Sequence, residues 1–128
     1  MKEITRQWLN AAHDDLQVID RVMSDAGLTN MVAFHAQQSI EKSVKAYIEE
    51  MGLYLPKTHD LLRLLRISTL DLLDEETEVI EELNYLYLNT RYPAELGLLP
   101  EGKPSQDDAE LFRKTAQRIH AKVTAICT

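Results

Sequence analysis

The chain has one cysteine in 128 residues, few glycines and prolines, and no apolar run near the roughly 20 residues of a membrane span. Cys127 has no second cysteine to pair with, so an internal disulfide is excluded and a reducing, intracellular location is expected. The N-terminal stretch 1-MKEITRQWLNAAHDD-15 carries charges throughout and lacks the apolar centre of a signal peptide, so a cytoplasmic protein is expected. Positive charge is also in deficit. A net charge of −7 argues against a general DNA- or RNA-binding protein, because neutralising phosphates needs a basic surface, although a local basic pocket stays compatible with it. Strand-type alternation is missing along the whole chain, as are internal repeats and low-complexity tracts.

What is present is helical periodicity. Over residues 3–24, Ile4, Trp8, Ala12, Leu16, Ile19 and Met23 recur at steps of three and four, and Gly27 is placed to end that helix. Thr29 or Asn30 can cap a second helix over about 30–51, in which Ala33, Ala36, Ile40, Val44, Tyr47 and Met51 share a face and Gly52 supplies the stop. An extended connector, 53-LYLP-56, precedes a short third helix capped by Thr58, with leucines at 61, 62, 64 and 65. Asp74 is expected to cap a fourth helix with Val79, Ile80, Leu83, Leu86 and Tyr87 as its apolar stripe. Residues 89–104 hold three of the four prolines and form the longest irregular segment, a frequent setting for function. Ser105, with Asp108 three residues on, opens the last helix, where Ala109, Phe112, Ala116, Ile119, Val123 and Ile126 make a narrow seam. Its partner is either a neighbouring helix or a second copy of the chain. Short connections favour antiparallel neighbours, so the expected fold is a single all-α domain over residues 1–128, an up-and-down bundle of four long helices and one short one.

The second helix carries an unusual polar face. At 100° per residue, His35, Gln38, Lys42 and Glu49 fall together, with Phe34, Glu41 and Lys45 beside them. Such a face can be solvated and laced by pairs such as Glu41–Lys45. Alternatively it meets polar groups of another helix or chain, or a phosphate-bearing ligand.

The run 34-FHAQQSIEKSVKAYIEEMG-52, followed by 58-THDLLRLL-65 and 91-RYP-93, resembles the HEPN family (higher eukaryotes and prokaryotes nucleotide-binding domain) in the order and spacing of all three segments. The likeness covers roughly residues 3–125. The resemblance implies an all-helical bundle, often a homodimer. It also implies that a small stand-alone chain of this kind is the partner of a minimal nucleotidyltransferase, in a two-component system of toxin–antitoxin type. Many HEPN domains are metal-independent ribonucleases, whose signature is an arginine followed after four to six residues by a histidine late in the bundle. Two such motifs face each other across the dimer. A histidine can act there as general acid or base, and an arginine can stabilise the charge that develops on phosphorus.

That pair is missing where the resemblance leads one to look for it. Arg91 stands at the arginine position, but 92-YPAELGLLP-100 contains no histidine. Arg6–His13 and Arg113–His120 match the spacing elsewhere; the first lies in the opening helix, and the second in the last helix with its members two turns apart. The expectation is therefore a nucleotide-binding or interaction module rather than an enzyme. Its polar groove is lined by Arg91, Tyr92, His35, Gln38, Lys42 and His59. Arg113 and His120 are the candidates if the chain is instead a ribonuclease toxin. His59 is also explained by local bonds beside the cap Thr58, and Tyr85 and Tyr92 by stacking on a base or by covering the open end of the bundle. No spacing suggests a metal site, and no cofactor is implied.

Overall fold

The structure is a computed structural model, and it describes residues 1–90 and 102–128. Helices α1 (Glu3–Val22), α2 (Thr29–Glu50), α3 (Leu61–Ser68), α4 (Asp74–Thr90) and α5 (Gln106–Cys127) follow in order, with a single 3-10 turn at Ala26–Leu28. Four helices are long and α3 is short, and no strand occurs among the described residues.

Helix α2 is the axis of the bundle and packs against each of the other described helices. Its residues Val32, Ala36, Ile40, Val44 and Ile48 are shut off from solvent, and Ile19, Leu61, Leu64, Ile80, Phe112 and Ile119 close around them. Burying one such branched side chain contributes about 1.5–3 kcal/mol. Enclosure by so many neighbours has a second effect. Gln37, Ser39, Glu41, Ser43 and Lys45 are buried on α2 as well, so polar residues lie on nearly every side of this helix without facing water.

The expected stripes are displaced in places. On α1 the inward positions are Thr5, Leu9, Ala12, Asp15, Leu16 and Ile19, while Ile4 is exposed. The sequence offers apolar residues at both 4/8 and 9/12, and contact with α2 selects the second set. Tyr47 is half-buried and Met51 exposed at the end of α2. The α5 seam finishes on Val123 and Cys127, and Ile126 faces out.

Helix ends follow local hydrogen bonding. Gly52, at φ 68°, is the left-handed residue that closes α2. Its N–H donates to the Glu49 carbonyl and that of Leu53 to the Ile48 carbonyl, which is the Schellman pattern. Gly27, in contrast, does not terminate α1. It sits inside the 3-10 turn and donates its N–H to Asp25 Oδ1 at 2.8 Å. Neither Thr29 nor Asn30 caps α2, since Thr29 is already helical and the N-cap position, Leu28, makes no side-chain cap. On α3 the cap is Asp60 and not Thr58: Asp60 Oδ1 accepts from the N–H groups of Leu62 and Arg63, and Thr58 Oγ1 accepts from the Asp60 N–H. Asn84 of α4 favours Asp60, because its amide donates to Asp60 Oδ1 at 3.2 Å and its carbonyl oxygen accepts from Leu61 N–H at 3.1 Å. Asp74 is the first residue of α4, and the capping side chain there is Glu76, which accepts from the Leu73 N–H at 2.9 Å. Ser105 caps α5 as expected, accepting from the Asp108 N–H.

Candidate functional site on the central helix

The polar residues of α2 form two clusters, each centred on one carboxylate. In the first, Asp15 of α1 receives His35 Nδ1 on Oδ1 at 2.9 Å and Lys42 Nζ on Oδ2 at 2.8 Å. His35 and Lys42 lie seven positions apart, so they sit almost two full turns apart on one α2 face, and Asp15 spans the gap between them. In the second cluster, Glu41 receives Lys45 Nζ at 2.9 Å and His59 Nδ1 at 3.1 Å. Two amides extend the second cluster: Gln38 Nε2 donates to Gln37 Oε1 and Gln37 Nε2 to Glu41 Oε1.

The carboxylates are the deepest groups, with side-chain exposures of 10% for Asp15 and 4% for Glu41. Lys45 is nearly as deep, and its ammonium lies 5.2 Å from the centre of the Trp8 ring, a cation–π contact that compensates part of its lost hydration. The expected Glu41–Lys45 pair thus forms, but inside the protein and not on a solvated face. His35, Lys42 and His59 occupy the rim, with side-chain exposures of 19%, 26% and 47%.

The carboxylates settle the chemistry of the two rings. A carboxylate only accepts, so Nδ1 of His35 and of His59 carries the proton and Nε2 remains for another partner. Asp15 and Glu41 carry the charges that face Lys42 and Lys45. Phe34 touches the His35 ring edge-on at 5.1 Å and stacks with Tyr87 of α4 at 6.1 Å, and Tyr87 in turn lies 6.0 Å from His59. Phe34 keeps 41% of its surface exposed. Two oriented imidazoles, one ammonium and an aromatic pair therefore share a single rim. Such a rim can meet a planar base with the rings and an anionic group with the cations.

Of the expected groove residues, His35, Gln38, Lys42 and His59 belong to this network, whereas Arg91 and Tyr92 lie outside the described residues. Asp15, Gln37 and Tyr87 are additions. The helical stripe puts Tyr87 in the core beside Leu83; in the structure it is half-buried and takes its place in the aromatic pair. Tyr85 is 51% exposed. Only one of these additions left a trace in the sequence: Gln37 precedes Glu41 by one helical turn. Asp15 lies twenty residues from His35, and nothing short of the α1–α2 register connects them.

Arg113 and His120 have separate partners. Arg113 pairs with Asp20 at 3.0 Å and with Glu110 at 3.1 Å, and the bond to Asp20 is the main cause that raises its pKa further. His120 Nε2 bonds the Leu9 carbonyl at 3.1 Å, and burial lowers the pKa of the ring. Burial likewise raises the pKa of the Cys127 thiol, leaving it a packed thiol.

A family model described as the HEPN domain matches residues 5–126. Two solved structures are similar over nearly the whole chain. One, described as an archaeal HEPN homologue, is 25% identical with a TM-score of 0.75, and the match covers 100% of both chains. The other, a protein from Thermus thermophilus, is 26% identical with a TM-score of 0.76 and covers 97% of this chain and 98% of that one. No curated protein is significantly similar. No helix among the described residues is long and apolar enough to cross a membrane.

Proposed function

We propose, from the premise that this chain belongs to the HEPN domain family, that it is a nucleotide-binding interaction module partnering a minimal nucleotidyltransferase. The pair would be a two-component system of toxin–antitoxin type, with this chain as a homodimer. The observation that supports the reading is the α2 rim, where His35 and His59, each held at Nδ1 by a carboxylate, reach the surface beside Lys42 and the Phe34–Tyr87 pair. Arg91 follows Tyr87 by four residues in the sequence and is the further cation proposed for the same groove. In this arrangement the ligand's base lies on Phe34 and its phosphates face Lys42 and the two imidazoles.

The test is calorimetric titration with ATP, together with co-purification of the tagged chain from its own cells. Saturable binding is expected, reduced about tenfold or more in Phe34→Ala, since stacking one base on an aromatic ring is worth about 1–3 kcal/mol. A nucleotidyltransferase is the expected companion in the co-purification. Absence of ATP binding, together with unchanged partner association in Arg91→Ala, rules the reading out.

A further inference from the structure

The remaining two histidines meet on the opposite side of α1. Alternate residues of this helix diverge: Asp15 points to α2, whereas His13 reaches α5, where its ring centre lies 5.9 Å from that of His120. Together with Arg6, Asn10 and Thr124 they line an open groove of about 280 Å³. We propose that this α1–α5 groove is a binding site for a phosphate group, held by Arg6, His13 and His120.

Geometry gives each group a part. The Leu9 carbonyl can only accept, so His120 Nε2 donates to it and Nδ1 is the ring's free position. His13 is exposed and makes no ion pair among the described residues. Arg6 lies on the same α1 face seven residues earlier and extends from an exposed position, where it pairs with Glu3 at 2.8 Å. An arginine fork, the His13 ring and the Nδ1–H that His120 carries only when protonated present several N–H donors, matching the several acceptor oxygens of a phosphate better than the two of a carboxylate.

The charge surroundings favour an anion. The neighbouring carboxylates are already engaged: Glu3 with Arg6, Glu50 with the backbone N–H of Lys2, with Thr5 and with the Met1 amine, and Asp20 and Glu110 with Arg113. Asp14 stands about 100° round α1 from His13. Lys2 places its ammonium on the Glu49 carbonyl. His13 disfavours protonation of His120, adding to the effect of burial. A bound phosphate offsets both effects, because it faces the two imidazolium charges at once. A metal ion is disfavoured by the guanidinium in the groove, and no group of three His, Cys, Asp or Glu side chains suited to a metal occurs among the described residues.

Proton NMR titration of the four histidines decides the matter, run from pH 5 to 8 with inorganic phosphate, with a short RNA oligonucleotide, and with acetate as the control. Phosphate is expected to raise the midpoints of His13 and His120 by about one unit, the scale of an opposite charge at contact range, and by more than any change at His35 and His59, where a nucleotide also needs the Phe34 ring to bind. Arg6→Ala and His13→Asn, both at exposed positions, should keep the wild-type circular dichroism spectrum and lose the phosphate effect on His120. An effect from phosphate alone assigns the site to free phosphate; an effect from the oligonucleotide as well assigns it to phosphate groups including the diester. Equal shifts at all four histidines, an equal effect of acetate, or an undiminished effect in Arg6→Ala would each overturn the proposal.

Discussion

On the α2 face, His35 and His59 each turn Nδ1 to a deep carboxylate and leave Nε2 at the rim. On the α1–α5 face, His120 turns Nε2 to the Leu9 carbonyl, and His13 stands exposed with no carboxylate paired to it among the described residues. Both arrangements orient a ring. Only the first also supplies the counter-charge that an imidazolium needs. A carboxylate is an acceptor and a charge together, whereas a carbonyl is an acceptor alone, so on His120 burial outweighs the opposing hydrogen bond to the Leu9 carbonyl. The α2 face has therefore balanced its own charges, and its ligand must add contacts to a finished network. On the α1–α5 face the described residues set no carboxylate against either imidazole, and its ligand must bring that charge.

The comparison breaks most severely at Glu41. Replacing Glu41 by Gln leaves Lys45 as a buried ammonium with no carboxylate, and losing one member of such a pair costs about 3–5 kcal/mol. Urea unfolding should show that loss as a lower midpoint with an unchanged slope. Adding Lys45→Met to Glu41→Gln should recover most of it, because the stranded charge is then gone. A loss below about 1 kcal/mol would mean that the second cluster is more hydrated than its burial indicates.

Asp15 should matter less, although it holds two partners. His35 and Lys42 already reach the rim, so each can turn to water when Asp15 becomes Asn. The expected cost is about 1.5–3 kcal/mol, that of hydrogen bonds to a charged group. Nitrogen NMR of the His35 ring should at the same time show loss of the single Nδ1–H tautomer, since an amide can either donate or accept. Retention of that tautomer would show that something other than Asp15 orients the ring.

These two clusters also mark how far the sequence could be read. Helix placement was legible because Ala36, Ile40 and Val44 repeat at the helical period and Gly52 stops the run. The Glu41–Lys45 contact was legible because it joins adjacent turns of one helix. Its burial was not, because Trp8 of α1 and His59 of the connector before α3 lie against the pair, and nothing in the periodicity of α2 places them there. The Asp15–His35 bond was hidden for the same reason, since it depends on the register of two helices. At the start of α3, Thr58 and Asp60 are both good caps, and Asn84, twenty-four residues beyond Asp60, favours the latter. The family resemblance pointed to α2, whose His35, Gln38 and Lys42 lie in or beside these clusters, but two of the carriers it singled out, Arg91 and Tyr92, fall outside the described residues.

The smallest effect, and the one that sharpens the comparison, concerns His120 and pH. Burial lowers its pKa in the folded protein below the ordinary value of 6.5, and the neighbouring charge of His13 adds to the shift. In the unfolded chain the ring recovers its ordinary value, so between the two values the unfolded state binds more protons. Stability must then fall as the pH drops from about 6.5 through the lower folded value, and it must be fully present above that window. His120→Gln keeps an amide N–H for the Leu9 carbonyl and removes the titration, so its stability should vary less between pH 7 and pH 5 than that of the wild type. His13→Gln should have a related, weaker consequence: the His120 midpoint moves up, toward 6.5, but burial still holds it below. Urea unfolding across this range, in a buffer free of phosphate, checks both. If His120→Gln loses stability on acidification as steeply as the wild type, the ring is hydrated in the folded protein, and the contrast between a carbonyl-held and a carboxylate-held histidine no longer accounts for the two faces.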